Sequence, residues 1–258
     1  LTFLFTVQEE IGLFGARYCA KSKLKKPSFC YNFDGGSCSK ITLQAPSSAM
    51  FEIEIKGTAS HAGAAPEAGI SAAAIFADAL SEVSQKGLFG KIDRNGKKYG
   101  TSNIGIVRGG TASNVIMDSL YAKGEARSYS SAFLSRILSG YKKAFTRAAH
   151  SHTNDAGKKG KVRFSVQAAY EAFKVRKSHP NVTQLISVLK DMKLEPETPA
   201  QFGGLDANWL ISHGIETATL GAGCRNPHTA GEKLHIPTYI NACRIAQKLA
   251  AADRECRE

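Results

Sequence analysis

The chain shows two textures of apolar and polar positions. Residues 1–7 open as a nearly unbroken apolar run (Leu1, Phe3, Leu4, Phe5, Val7), the pattern of a buried strand. Leu13, Phe14 and Tyr18 then recur at helical spacing, which predicts a helix over residues 12–23 with these three turned inward. Residues 28–33 read as a second strand, ending at Asp34-Gly35-Gly36, and residues 41–45 as a short third one. Pro46, Ser47 and Ser48 read as a linker.

From Met50 the texture changes. Phe51, Ile53 and Ile55 alternate strictly with Glu52, Glu54 and Lys56, which predicts a strand with one wet face, as antiparallel sheets have. Gly57 to Gly63 is a turn-rich loop containing His61. An alanine-rich helix follows over 69–85, with Ile70, Ala73, Ala74, Ala77 and Leu80 in register, and then a basic, glycine-bearing loop over 86–100. Strands are expected over 103–108 and within 115–128, a helix over 131–152, and a closing strand over 162–168. The order β-α-β-β-α-β across 47–170 is that of a ferredoxin-like sandwich inserted into another domain. The first texture then returns, with helices over 180–192 and 205–213, a strand over 216–220, and a final helix over 237–252 with Pro237 in its first turn.

Composition narrows the function classes. The chain has 258 residues, 43% hydrophobic and 22% charged, which fits a soluble globular protein. No apolar run approaches the roughly 20 residues that span a bilayer, so no membrane partner is expected. The opening apolar run has no basic segment before it, so it does not read as a signal peptide. The net charge is +12, but few aromatics alternate with the basic clusters, so there is no stacking platform and no nucleic-acid partner is expected. The six cysteines show no CxxC pair, which argues against a zinc-thiolate site. They read as reduced thiols in a cytoplasmic protein.

Chemistry-bearing residues gather at the predicted strand ends and glycine-rich loops: Glu9, Glu10, Asp34, His61, Asn114, Arg127, Asp206 and His228. Carboxylates with a histidine suit a zinc site that keeps positions open for water. With adjacent glutamates, one can ligate while the other moves a proton. Each residue also has a plainer role. Acids favour helix starts, Asp34 can cap a turn, and Arg127 can pair across strands. Asp206 is read as a cap for the helix after it. The remaining histidines (His150, His152, His179, His213, His235) are read as structural or solvent-facing.

Seven short motifs occur in a fixed order. They are Glu9-Glu10-Ile11-Gly12, Asp34-Gly35-Gly36, the His61 loop, Gly109 to Asn114, Glu125 to Ser128, Gly203 to Asn208, and His228-Thr229-Ala230-Gly231-Glu232. The set resembles the di-zinc metallopeptidase family 20 of peptidase T, glutamate carboxypeptidase, aminoacylase and succinyl-diaminopimelate desuccinylase, with the peptidase T-like branch nearest. That resemblance implies an α/β, mostly parallel, zinc-peptidase-type catalytic domain in two segments, residues 1–46 and 171–258. A ferredoxin-like α+β lid/dimerisation domain is inserted over residues 47–170. It implies Glu9 as general base for the attacking water, Glu10 and His228 as ligands of one zinc, and Asp34 as a ligand of the other. His61 would hold the substrate or the oxyanion, reaching over from a dimer partner, and Asn114 and Arg127 would hold the substrate's backbone or carboxylate. The implied activity is zinc-dependent hydrolysis of a small peptide, or of an N-acyl amino acid in the deacylase members, by a homodimer paired through the lid domain. Family members carry a His-x-Asp motif and a metal-bridging aspartate upstream of the paired glutamates. This chain starts after both, so it is expected to be a fragment with an incomplete metal site, binding two, one or no zinc ions. Leu205 stands where a small hydroxyl residue is usual. A non-catalytic dimerising or ligand-binding remnant is the competing expectation.

Overall fold

The structure is a computed structural model, and it describes residues 1–24, 27–94 and 96–255. It divides into two units, residues 1–46 with 171–258, and residues 47–170. The whole is an α/β chain carrying an inserted ferredoxin-like α+β domain.

The inserted unit follows from its alternating pattern. β4 (Ser47–Lys56) buries Phe51, Ile53 and Ile55, as their spacing predicts. It pairs antiparallel with β7 (Ser119–Ser128) on one side and β8 (Lys161–Tyr170) on the other. β6 (Lys97–Gly109) and β5 (Gly90–Arg94) extend the sheet, whose order is β5-β6-β7-β4-β8. Two helices cover one face: α2 (Ala72–Gln85), capped by Ser71, and α3 (Ser131–Ser151), capped by Ser130. Between them lies the core, where Phe51 sits against Tyr141 and Phe164, with ring centroids 4.7 and 5.6 Å apart. The Tyr141 hydroxyl is satisfied inside by Ser102 Oγ at 2.7 Å.

Three expectations for this unit need correcting. There is no linker at 46–48, because β4 begins at Ser47 and the chain enters the sheet directly. The segment 86–100 is not a loop. It holds β5 and the start of β6, a hairpin that adds a fifth strand. The buried face of α2 is Ala72, Ile75, Ala79 and Val83 rather than Ala73, Ala74, Ala77 and Leu80. An alanine-rich helix carries no dominant apolar stripe, so its facing is set by the sheet it packs on.

The other unit is less regular. β1 (Cys30–Phe33) runs parallel to β10 (Thr217–Leu220), and β2 (Ile41–Thr42) joins β10 from its other side, antiparallel. β3 (Gln44–Ala45) pairs with β9 (Phe173–Lys174) just beside the two crossings between units. α4 (Pro180–Asp191), α5 (Asp206–Ser212) and α6 (Ile236–Glu255) pack around a core that includes Ile41, Leu185, Leu189, Leu220 and Ile245. Buried Asn208 fastens the crossings. Its amide nitrogen donates to the carbonyls of Pro46 (3.1 Å) and Glu171 (2.7 Å), and its oxygen accepts the Leu205 N–H (3.0 Å).

Residues 1–7 form no strand. The sheet is ordered β1-β10-β2 and none of its strands pairs with this segment, and a strand without a neighbour has no ladder to stabilise it. Leu1 and Phe5 are 93% and 89% exposed. The helix expected over 12–23 is cut to a single turn, α1 (Phe14–Arg17), with a short 3-10 turn at Lys21–Leu24, and Tyr18 is 72% exposed rather than inward. Helix propensity is a weak prior, and here backbone bonds to the preceding segment override it. Among the described residues, no helix is long and apolar enough to cross a membrane, and Cys19, Cys30, Cys38, Cys224 and Cys243 form no disulfide. Cys256 lies outside the described residues.

Candidate metal and catalytic site

Parallel strands deliver their carboxyl ends to one edge of a sheet, and ligands bind outside those ends. Asp34 follows directly on the end of β1, its N–H donating to the Leu220 carbonyl at 2.7 Å, and β10 ends at Leu220 itself. The two ends meet backbone to backbone at Gly221. A Cβ there would lie 2.3 Å from the Gly36 carbonyl carbon, so no other residue fits without displacing the loop. Ala222 and Gly223 then donate to the Gly35 and Gly36 carbonyls at 2.8 and 2.7 Å. A two-stranded hairpin follows, β11 (Cys224–Arg225) with β12 (Lys233–Leu234), and its loop carries His228. Asn226 and His228 are both left-handed there, with φ of 54° and 62°. The Glu232 carboxylate accepts the His228 N–H at 3.2 Å and braces this loop from within.

Glu9 and Glu10 sit at the tip of a tight loop. The N–H groups of Gly12 and Leu13 turn back to the Glu9 carbonyl (3.2 and 2.9 Å), Phe14 to that of Gln8 (3.2 Å), and Gly15 to that of Val7 (2.9 Å). The turn forces positive φ at Gln8 (58°), Gly12 (138°) and Leu13 (58°). A non-glycine residue held there stores about 1–3 kcal/mol and persists only where its surroundings fix it.

Tip, strand end and hairpin loop enclose a cleft of about 440 Å³ lined by Glu9, Glu10, Asp34 and His228, with Lys40, Cys224 and Glu232 among the remaining wall. His228 Nδ1 lies 3.2 Å from Glu10 Oε2. Burial, reinforced by Asp34, Glu10 and Asp206, pushes the Glu9 carboxyl up to about 7, and His228 opposes the shift. Asp34 is raised by burial and by the same acidic neighbours. The cleft thus holds more negative charge than its own cations balance, which is what a divalent ion relieves, and its oxygen and imidazole donors suit zinc or a similar ion. In kind the donors fit a metal. In number they are incomplete: among the described residues, no three His, Cys, Asp or Glu side chains converge on one point.

Asp206 does not cap its helix. Leu205 occupies the cap position, and the buried Asp206 carboxylate instead accepts the Thr6 hydroxyl at 2.5 Å. The Thr6 hydroxyl bond has no counterpart among the sequence expectations, while His213 takes one of the structural roles expected of it. A hydroxyl bonded to a residue 200 positions away leaves no local signal.

The other three candidates belong to the inserted unit. His61 is exposed, and its Nδ1 accepts the N–H groups of Gly63 (3.2 Å) and Ala64 (3.1 Å), so the neutral ring carries its proton on Nε2. The Asn114 carbonyl accepts the Ala62 N–H at 2.9 Å, which joins the two loops. Arg127, paired with Glu125 at 2.9 Å, stands opposite Ser48 at the far end of β7. Strand rise puts it roughly 30 Å from the Asn114 loop.

Residues 45–153 match the family model of the peptidase dimerisation domain. An uncharacterised protein of Bacillus subtilis, YqjE, is 31% identical over 250 residues, 95% of this chain and 62% of that protein. The crystal structure of aminopeptidase PepT from Bacillus cereus superposes with a TM-score of 0.84 at 29% identity, covering 95% of this chain and 62% of that one. Residues 45–153 thus carry the dimerisation domain of M20 peptidases, and the chain as a whole is similar to members of that family. A tripeptidase of Staphylococcus aureus also superposes with a TM-score of 0.84, at 26% identity, over 95% of this chain and 61% of its own. The chain spans about 62% of the length of the relatives it matches.

Proposed function

We propose that this chain carries ligands of the metal centre of a zinc-dependent exopeptidase or amidohydrolase acting on small peptides. The observation that carries the reading is the cleft at the carboxyl ends of β1 and β10, where Glu9, Glu10, Asp34 and His228 come together. Glu10 and His228 would hold one zinc, and Asp34 would contribute to a second. The metal supplies electrophilic stabilisation and lowers the pKa of water. Glu9, set between acidic neighbours, takes a proton from the attacking water and returns it to the leaving amine. His61 offers Nε2–H as a donor to an oxyanion. Arg127 offers a fork for the substrate's carboxylate.

The roughly 30 Å between His61 and Arg127 supports a homodimer, because one substrate cannot touch both from a single inserted unit. β8 presents an edge with no strand on its outer side among the described residues, a surface suited to pairing with a second copy.

The test is hydrolysis of a tripeptide by the zinc-loaded protein that carries this chain. Glu9→Gln is expected to lower kcat by about 10²–10⁴ with little change in KM. Equal kcat in the two proteins would remove Glu9 from the mechanism, and no turnover with no bound zinc would favour the non-catalytic remnant.

A further inference from the structure

A four-residue helix cannot hold itself, because the first turn costs more chain entropy than one turn's hydrogen bonds return. α1 is such a helix, and it has no side-chain cap. It nevertheless closes the loop that presents Glu9 and Glu10. Its support comes from α5. Asp206, Trp209 and His213 are spaced three and four apart, which puts them on one face. Asp206 Oδ2 accepts the Thr6 hydroxyl at 2.5 Å. Its other oxygen is buried and has no hydrogen-bond partner among the described residues. The Trp209 ring lies under the Arg17 guanidinium at 5.2 Å. His213 Nε2 donates to the carbonyls of Ala16 and Arg17, both at 3.1 Å, and so satisfies the end of α1.

These contacts bracket the tip. Thr6 stands three residues before Glu9, and Ala16 six residues after Glu10. We infer that Asp206 and His213 are positioning residues: one face of α5 pins both legs of the Glu9–Glu10 loop and holds its left-handed residues in place. The inference deepens the reading of Glu9 as base and Glu10 as ligand, and it rests on that reading for its functional meaning.

Amide hydrogen exchange on the full 258-residue chain tests it. His213→Ala is expected to speed exchange at the Phe14 and Gly15 amides about tenfold or more, while the β10 amides of Thr217 to Leu220 stay as they were. His213→Gln keeps an N–H donor and is expected to restore the slow exchange. Asp206→Asn, which keeps an acceptor for Thr6, is expected to behave like the parent chain, and Asp206→Ala like His213→Ala. Unchanged exchange at Phe14 and Gly15 in both alanine variants would overturn the inference, as would an equal rise across β10 or failure of the glutamine variant to restore protection. Calorimetric titration with zinc alone separates the two claims. Weaker binding in His213→Ala but not in His213→Gln supports positioning of a ligand. Unaltered binding in Glu10→Gln would remove Glu10 as a ligand, and the exchange result would still decide the clamp.

Discussion

The inserted sheet and the Glu9–Glu10 tip solve opposite problems. In the sheet, each strand finds its neighbour in the regular ladder β5-β6-β7-β4-β8, and the apolar side of β4 meets two long capped helices. Its stability is spread over many apolar contacts, and among its described residues only glycines adopt a left-handed backbone. The tip has little of this. It is short and left-handed at Gln8 and Leu13, and distant residues hold it. A regular scaffold tolerates sequence change on its wet face. A strained functional loop depends on a few bonds to residues elsewhere in the chain.

The comparison is broken most forcefully from the sheet side. Phe51 is 1% exposed and packed between aromatic rings, so Phe51→Ala is expected to cost about 3–5 kcal/mol, read from urea unfolding of the chain. A cost near zero would mean that the inserted core is not closely packed. Next comes Asn208, which makes three buried backbone bonds at the crossings between units. Asn208→Ala leaves those groups unpaired and is expected to cost about 2–3 kcal/mol in the same measurement. Gly221→Ala follows, at about 1–3 kcal/mol, because the new methyl meets the Gly36 backbone. Unlike Phe51→Ala, it is expected to spare the inserted unit, which circular dichroism of the partly unfolded chain would resolve.

The smallest effect is a pH dependence. Glu9 titrates near 7 in the folded chain against an ordinary 4.5. A carboxyl raised in this way favours the fold fully below pH 4.5, and that contribution is lost as pH climbs to 7. Glu9→Gln cannot ionise, so without metal its Tm relative to the parent is expected to be higher at pH 8 than at pH 4. The same Tm difference at both pH values would show that Glu9 is not desolvated and crowded as described.

The same contrast explains what the amino-acid pattern revealed. Phe51, Ile53 and Ile55 declare their strand because alternation is a local signal with one reading. The strand at 103–108 was expected, but the hairpin over 90–100 before it was hidden by lysines and glycines, which look like a loop when their pairing partners lie in β6 and β7. Leu1 to Val7 looks like a strand for the reverse reason, because its apolar run satisfies the local rule but no strand pairs with it among the described residues. Short ordered motifs singled out Glu9, Glu10, Asp34 and His228, and the fold brings these four to one cleft. The roles of Thr6, Asp206 and His213 were not legible, because they exist only once α5 lies against the first segment. Asp206 is instructive: an acid before a helix reads as a cap, and here it holds a hydroxyl from the other end of the chain.

The central claim is that Glu10 and His228 form one ligand pair. Calorimetric titration of the chain with zinc tests it directly. Glu10→Gln and His228→Asn should each weaken binding about tenfold or more, and the double variant should weaken it no further than the worse single one, since the two act on one ion. Zinc affinity equal to the parent chain's in both single variants would contradict the account.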